Sequence, residues 1–175
     1  MTYTDNIIPA MTSYTEPSGV VSASGFINAT SAEWMAFDNQ YDVVGWLDDA
    51  GTGWLQYQFP VVHAVTQYAV TSIGGGAWCA PKTWSFEGSN NGSTWDTLDT
   101  QTNVTDWAST GGVRKVFSFA NSTAYAYYRI NITVGSDAGY VGVGELEMME
   151  TVETARWFRR RGRNGQPDRV MRMKG

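Results

Sequence analysis

The chain has 175 residues, 14% of them aromatic, and a formal net charge of −5 at pH 7. No run is long and apolar enough to cross a membrane as a helix, so no membrane insertion is expected. One cysteine and one histidine exclude an internal disulfide and a zinc site of three or four nitrogen and sulfur ligands.

The opening MTYTDNIIPAM lacks a basic segment followed by an apolar core, so no secretory signal is expected. Asn6 to Tyr14 carries few signals beyond Pro9 and is placed along one edge of the fold. Val20 to Ser24 predicts a first short strand. Ala32 to Asp38 predicts a helical turn, with Trp34, Met35 and Phe37 apolar and Ser31 as its cap. Asp38 to Gly53 is read as an acidic, Gly-containing loop. Trp54 to Phe59 alternates Leu55, Tyr57 and Phe59 against Trp54, Gln56 and Gln58, the period of a half-buried strand, and Pro60 is expected to end it. Val65 to Ser72 predicts another strand with Tyr68 and Val70 inward. Ile73 to Ala80 is a Gly-rich loop carrying Trp78.

Pro81 to Leu98, PKTWSFEGSNNGSTWDTL, reads as two strands joined by a two-residue turn at Asn91-Gly92, with Trp84 and Phe86 alternating against Thr83, Ser85 and Glu87. A polar loop from Asn103 to Gly112 carries Trp107. Strands follow over Val113 to Phe119 and over Tyr125 to Val134, the latter with Tyr128, Ile130, Ile132 and Val134 facing in. A loop from Gly135 to Gly142 leads to a closing strand, Val143 to Met149. Seven or eight short strands with turn signals between them predict an all-β sandwich or barrel.

The string P-x-x-W-x-F-E-G-S-N-N-G-S-T-W-x-T-L resembles the signature hairpin of the discoidin, or coagulation factor 5/8 type C, family. WMAFDN, GWLQYQF, YAYYRINIT and VGVGELEMM resemble further landmarks of that family and arrive in its order. Together they cover about Ile8 to Glu150. The wording is similar to versions found in bacteriophage virion and tail proteins and in bacterial carbohydrate-binding modules. The resemblance implies a galactose-binding-like, jelly-roll type β-sandwich. It also implies non-catalytic ligand binding at the loops of one end, and one structural calcium. By position the calcium would fall to Asp38 and Glu145, with Asp42 adding an oxygen. Asn39 replaces the family's usual glycine, and Val44 stands near where a hydroxyl residue often contributes. The other reading has Asp38 capping a turn and Glu145 facing water.

The residues themselves argue against catalysis. His63 is the lone histidine, Cys79 has no second histidine beside it, and neighbouring Asp48 and Asp49 are not held at the separation that glycosidase chemistry needs. Sugars present C–H faces that stack on rings and hydroxyls that need planar polar partners. The loop residues suited to this are Trp78, Trp107 and Tyr140, beside Asp48, Asp49 and Asp137, with Asn103 and Asp106 near them. Trp78 ranks first, because nothing in its Gly-rich loop requires an indole for packing. Trp46 is read as a plug of the sandwich end. Five Asn-x-Ser/Thr sequons, at Asn28, Asn91, Asn103, Asn121 and Asn131, are read as ordinary polar β surface.

Charge divides the chain in two. Through Glu150 there are 4 basic and 15 acidic residues; from Thr151 onward there are 8 basic and 2 acidic. Residues 1–150 are therefore read as the sandwich and 151–175 as a basic C-terminal arm that docks on a partner. Arg156, Trp157, Phe158, Arg159, Arg160, Arg161, Arg163 and Met171 are its anchors. An acidic protein surface, including a neighbouring copy's own body, suits the arm. Nucleic acid is disfavoured, because the body is acidic and no recognition motif is present. The expected whole is a glycan-binding piece of a larger multi-copy assembly. A bacteriophage virion, with head decoration, tail or fibre built in the host cytoplasm, is the first expectation. The alternatives are a purely structural cement protein and an accessory carbohydrate-binding module of a glycosidase complex.

Overall fold

The computed structural model describes residues 1–41, 44–74, 77–108 and 111–152. Asp42 and the arm anchors Arg156, Trp157, Phe158, Arg159, Arg160, Arg161, Arg163 and Met171 lie outside the described residues.

Eleven strands are described: β1 (Thr2–Tyr3), β2 (Val20–Ala23), β3 (Trp46–Asp48), β4 (Gly53–His63), β5 (Val65–Thr71), β6 (Pro81–Ser89), β7 (Asp96–Gln101), β8 (Arg114–Ser118), β9 (Tyr125–Gly135), β10 (Val141–Val143) and β11 (Glu145–Val152). A five-stranded sheet runs β2-β4-β9-β6-β7 and a four-stranded sheet runs β1-β11-β5-β8, while β3 and β10 pair beside them. All these pairings are antiparallel.

The alternation read in the sequence places the core. Leu55, Tyr57 and Phe59 of β4 and Tyr128, Ile130 and Ile132 of β9 turn inward, onto Val65, Tyr68 and Val70 of β5 and Leu146 and Met148 of β11. Tyr68 of one sheet stacks on Phe86 of the other, with centroids 4.2 Å apart and planes within 5°. The Trp84 indole donates to the Tyr68 hydroxyl (2.9 Å), which in turn donates to Asp99 (2.8 Å). The buried polar tip of each ring thus has a partner, as burial requires.

Several expectations are corrected. Asn6 to Tyr14 is more than an edge, since Ile8 and Met11 are fully buried. Glu33–Phe37 is a short 3₁₀ helix with no side-chain cap, so Ser31 does not serve as one. Pro60 does not end β4, which continues to His63 through a register shift. The acidic loop contains β3, so Asp48 is a strand residue. The hairpin connection is longer than two residues: β6 stops at Ser89 and β7 starts at Asp96. Asn91 organises it by accepting the Ser93 and Thr94 N–H groups (2.9 Å each), with Gly92 at φ +68°. Val134 is exposed: β9 carries an extra residue, Thr133, between Val134 opposite Thr83 and Ile132 opposite Trp84, and the alternation of its faces breaks there. The closing strand divides at Gly144, where a Cβ would lie 2.8 Å from the Ser72 carbonyl oxygen. β11 runs past Glu150, so Thr151 and Val152 belong to the sheet, paired with Tyr3 and Thr2.

Candidate functional site

One end of the sandwich is built by three connections: β3–β4, β5–β6 and β9–β10. They are tied by backbone hydrogen bonds from Gly135 to Gly51 and from Ser136 to Ala80, each 2.9 Å. Gly51 is needed for the approach, since a Cβ there would sit 2.4 Å from the Ala138 carbonyl oxygen. Asp137 accepts the Gly139 N–H at 2.7 Å and so closes the turn between β9 and β10.

Two of the rings singled out in the sequence meet here. Trp78 is 49% exposed and Tyr140 is 38% exposed. Their centroids lie 5.4 Å apart with an interplanar angle of 77°, an edge-to-face pair turned to solvent. Cys79, next to Trp78 in a short 3₁₀ turn, is buried and anchors that turn. Burial pushes its thiol up to about 11, the reverse of what a nucleophile needs. His63 lies at the other end of β4, with Nδ1 3.2 Å from a Glu150 carboxylate oxygen, so the two groups are not brought together. Asp49 and Asp137 are exposed, and Asp137 belongs to the connection that also carries Tyr140.

Trp107 and Asp48 do not belong to this surface. Trp107 is 6% exposed, and its indole donates to the Pro81 carbonyl (2.9 Å) beneath the Lys115 ammonium. Its ring closes the sandwich from inside and has no face left for a ligand. Lys115 also pairs with Asp106 at 2.7 Å, which holds that exposed carboxyl below its ordinary value. Asp48 is 5% exposed and accepts a hydrogen bond from Ser24 Oγ (2.9 Å). Trp46 is the plug the sequence predicts, fully buried and donating to the Gly25 carbonyl.

A separate acidic site lies under residues 38–41, on the outer face of the four-stranded sheet. Asn39 takes the left-handed conformation (φ 60°) that glycine or asparagine tolerates, and its N–H donates to Glu145 Oε1 (3.3 Å). Asp38 does cap the turn, accepting the Gln40 N–H at 2.9 Å. Glu145 does not face water: it is fully buried, and its Oε2 has no hydrogen-bond partner among the described residues. Burial pushes its carboxyl up to about 9, with Asp38 and Glu147 adding negative charge. Burial also raises Asp38. Thr71 pairs directly with Glu145 across β5 and β11, and its Oγ1 is likewise buried and unpartnered among the described residues. Glu147 is already held by Arg114 and Tyr41.

No family model matches the chain, and no curated protein matches it in sequence. Solved structures share its fold. A family 32 carbohydrate-binding module from Clostridium perfringens, in complex with GalNAc-β-1,3-galactose, superposes with a TM-score of 0.63 at 12% identity, over 74% of this chain and 94% of that one. Chitosan-binding module 1 of a chitosanase/glucanase from Paenibacillus sp. IK-5 gives 0.63 at 17% identity, over 82% and 97%. The family 32 module of Clostridium perfringens NanJ, in complex with galactose, gives 0.62 at 18%, over 75% and 93%. The fold is therefore a galactose-binding-like β-sandwich, as the hairpin resemblance implies.

Proposed function

We propose that this chain is a non-catalytic carbohydrate-binding module, which holds a glycan at the loop end through Trp78 and Tyr140 and is fastened by its opposite end into a larger assembly. The observation that carries this reading is the solvent-facing ring pair. Two indole and phenol faces left exposed in the same place suit the C–H faces of a sugar, and Asp137 and Asp49 supply acceptors for its hydroxyls. Thr2 and Val152 pair at the far end of the sheet from Thr71 and Glu145, so Val152, the last described residue, stands away from the rings. A tip that binds and a base that tethers suit an appended module.

In a glycan array followed by calorimetry, wild type is expected to bind and Trp78→Ala to lose about tenfold or more, ~1.4 kcal/mol, without a change in Tm. No binding by either protein removes the sugar reading. The Paenibacillus neighbour is a module of a chitosanase/glucanase, which supports an accessory role beside a carbohydrate-active enzyme. Attachment to a virion, or to a second copy of this chain, rests on the basic arm and the acidic body. Copurification of a catalytic subunit decides for the accessory role. Incorporation into particles that is lost on deleting residues 153–175 decides for the virion.

The orphaned oxygens of Glu145 and Thr71 support a hard cation at the acidic site, although no three Asp, Glu, His or Cys side chains are grouped to hold one among the described residues. Asp38, Glu145 and the Thr71 hydroxyl would supply oxygens of the kind calcium takes, and the lone buried Oε2 of Glu145 is the atom that lacks a partner. The bound ion would displace the proton that burial keeps on Glu145 and hold residues 38–41 on the sheet. Saturating calcium is expected to raise Tm by about 5 °C at neutral pH, the scale of a ligand that binds only the folded state. Glu145→Gln is expected to abolish that rise while the protein stays folded. A wild-type Tm indifferent to millimolar calcium removes the cation from the reading.

A further inference from the structure

A second aromatic and polar surface lies on the outer flank of the five-stranded sheet, below the loop end. An open groove of about 470 Å³ is lined there by Ser24, Thr52, Trp54, Asn131 and Thr133. The groove is shallow and open to solvent, so it suits a ligand laid along the sheet and not one enclosed in a cavity. Trp54 and Asn131 are direct partners across β4 and β9 and point outward, because their neighbours Leu55, Ile130 and Ile132 take the inner face. Side chains so paired stand side by side on one face of the sheet.

Both groups are held from behind. The Trp54 N–H donates to Ser24 Oγ (3.0 Å), its carbonyl accepts the Ser24 N–H (2.9 Å), and Ser24 Oγ donates to the buried Asp48. The Asn131 amide nitrogen donates to Glu87 Oε1 (3.3 Å), a carboxylate itself fixed by Arg129 and Ser85. This turns the amide oxygen of Asn131 away from that carboxylate. The groove thus offers an indole, one oriented amide and the hydroxyls of Ser24, Thr52 and Thr133, with no charged side chain in its lining. A phosphate or carboxylate ligand would need arginine, lysine or a row of N–H donors. A purely apolar ligand would leave the amide unpaired. The hydroxyl hydrogens of Ser24 and Thr133 are already given to Asp48 and to the Thr83 carbonyl, so a ring with one C–H face on the indole would donate its equatorial hydroxyls to these oxygens and to the Asn131 amide oxygen.

We propose that this groove is a second carbohydrate site, for a neutral sugar unit, independent of the Trp78–Tyr140 end. It keeps the carbohydrate reading but stands on different residues, so the two can fail separately. The test is an NMR titration of the full chain. The indole N–H signals of its eight tryptophans and the side-chain amide signals are followed while galactose, N-acetylgalactosamine and neutral cello-, xylo- and chito-oligosaccharides are added. The expected result is a saturable shift of the Trp54 indole and the Asn131 amide with at least one sugar. In Trp54→Ala that Asn131 shift weakens about tenfold or more in affinity, and shifts at Trp78 are retained. If Trp78 responds while Trp54 and Asn131 stay fixed, the groove is not a site and the loop-end reading stands. If Trp54 and Asn131 respond while Trp78 does not, the groove stands and the loop-end reading falls. If none moves with any sugar, both fall.

Discussion

Trp84→Ala is expected to lower the unfolding free energy by about 4 kcal/mol, in the range measured for large aromatic truncations in cores. The ring is 1% exposed and sits edge-on to Phe117, with centroids 5.3 Å apart. Three costs combine. The apolar area of an indole is lost, a cavity opens where two sheets meet, and the Tyr68 hydroxyl loses the N–H that it accepts. Tyr68 is already wedged between Phe86 and Phe117, so it cannot swing into the space without breaking a stack. Since domains of this size are stable by only about 5–15 kcal/mol, the variant is expected to be partly unfolded at moderate urea concentrations. Urea unfolding followed by far-UV circular dichroism gives the number. A loss under about 1 kcal/mol means that the hairpin does not bridge the two sheets as described. Tyr68→Phe separates the costs: it keeps the ring and removes only the hydroxyl, so about 1–2 kcal/mol is expected.

The same hairpin shows which features a sequence displays and which it hides. Alternation over Trp84 to Glu87, Trp54 to Phe59 and Tyr128 to Ile132 is a local property, and each run lands on the predicted face. β1 and β3 have two and three residues, too few for a period, and exist because β11 and β10 offer them partners. Trp78 and Trp107 look alike as indoles in polar loops. What separates them is one long-range hydrogen bond from Trp107 to the carbonyl of Pro81, which draws its loop inward. Asp48 and Asp49 are neighbours of identical chemistry. The strand period sends one under Ser24 and the other to solvent. Trp54 is legible as outward-facing, but the groove beside it needs β9 as a neighbour, and strand order is not a local property. Asp38 and Glu145 stand out in the sequence only through its resemblance to the discoidin family. That Thr71 stands across from Glu145, where position 44 lacks a hydroxyl, follows only from the register of β5 on β11.

Arg129→Ala is expected to cost about 3 kcal/mol, the cost of leaving one member of a buried ion pair alone. Arg129 Nε donates to Glu87 Oε2, and the pair is 20% and 9% exposed on its two sides. The guanidinium also lies 4.0 Å from the centre of the Trp95 ring, which roofs the pair from the turn of the hairpin. Removing Arg129 leaves a carboxylate under an indole with only Ser85 Oγ and the Asn131 amide to hold it. Replacing both partners, as Arg129→Met with Glu87→Leu, is expected to recover most of the loss, because no uncompensated charge remains and the apolar chains fill similar volume. Chemical denaturation of the single and double variants measures this. A single-variant loss within about 0.5 kcal/mol would mark the pair as a solvated surface contact instead. The double variant also removes the carboxylate that orients Asn131. If stability is recovered while the sugar response of Trp54 weakens, the ion pair serves the groove as well as the fold.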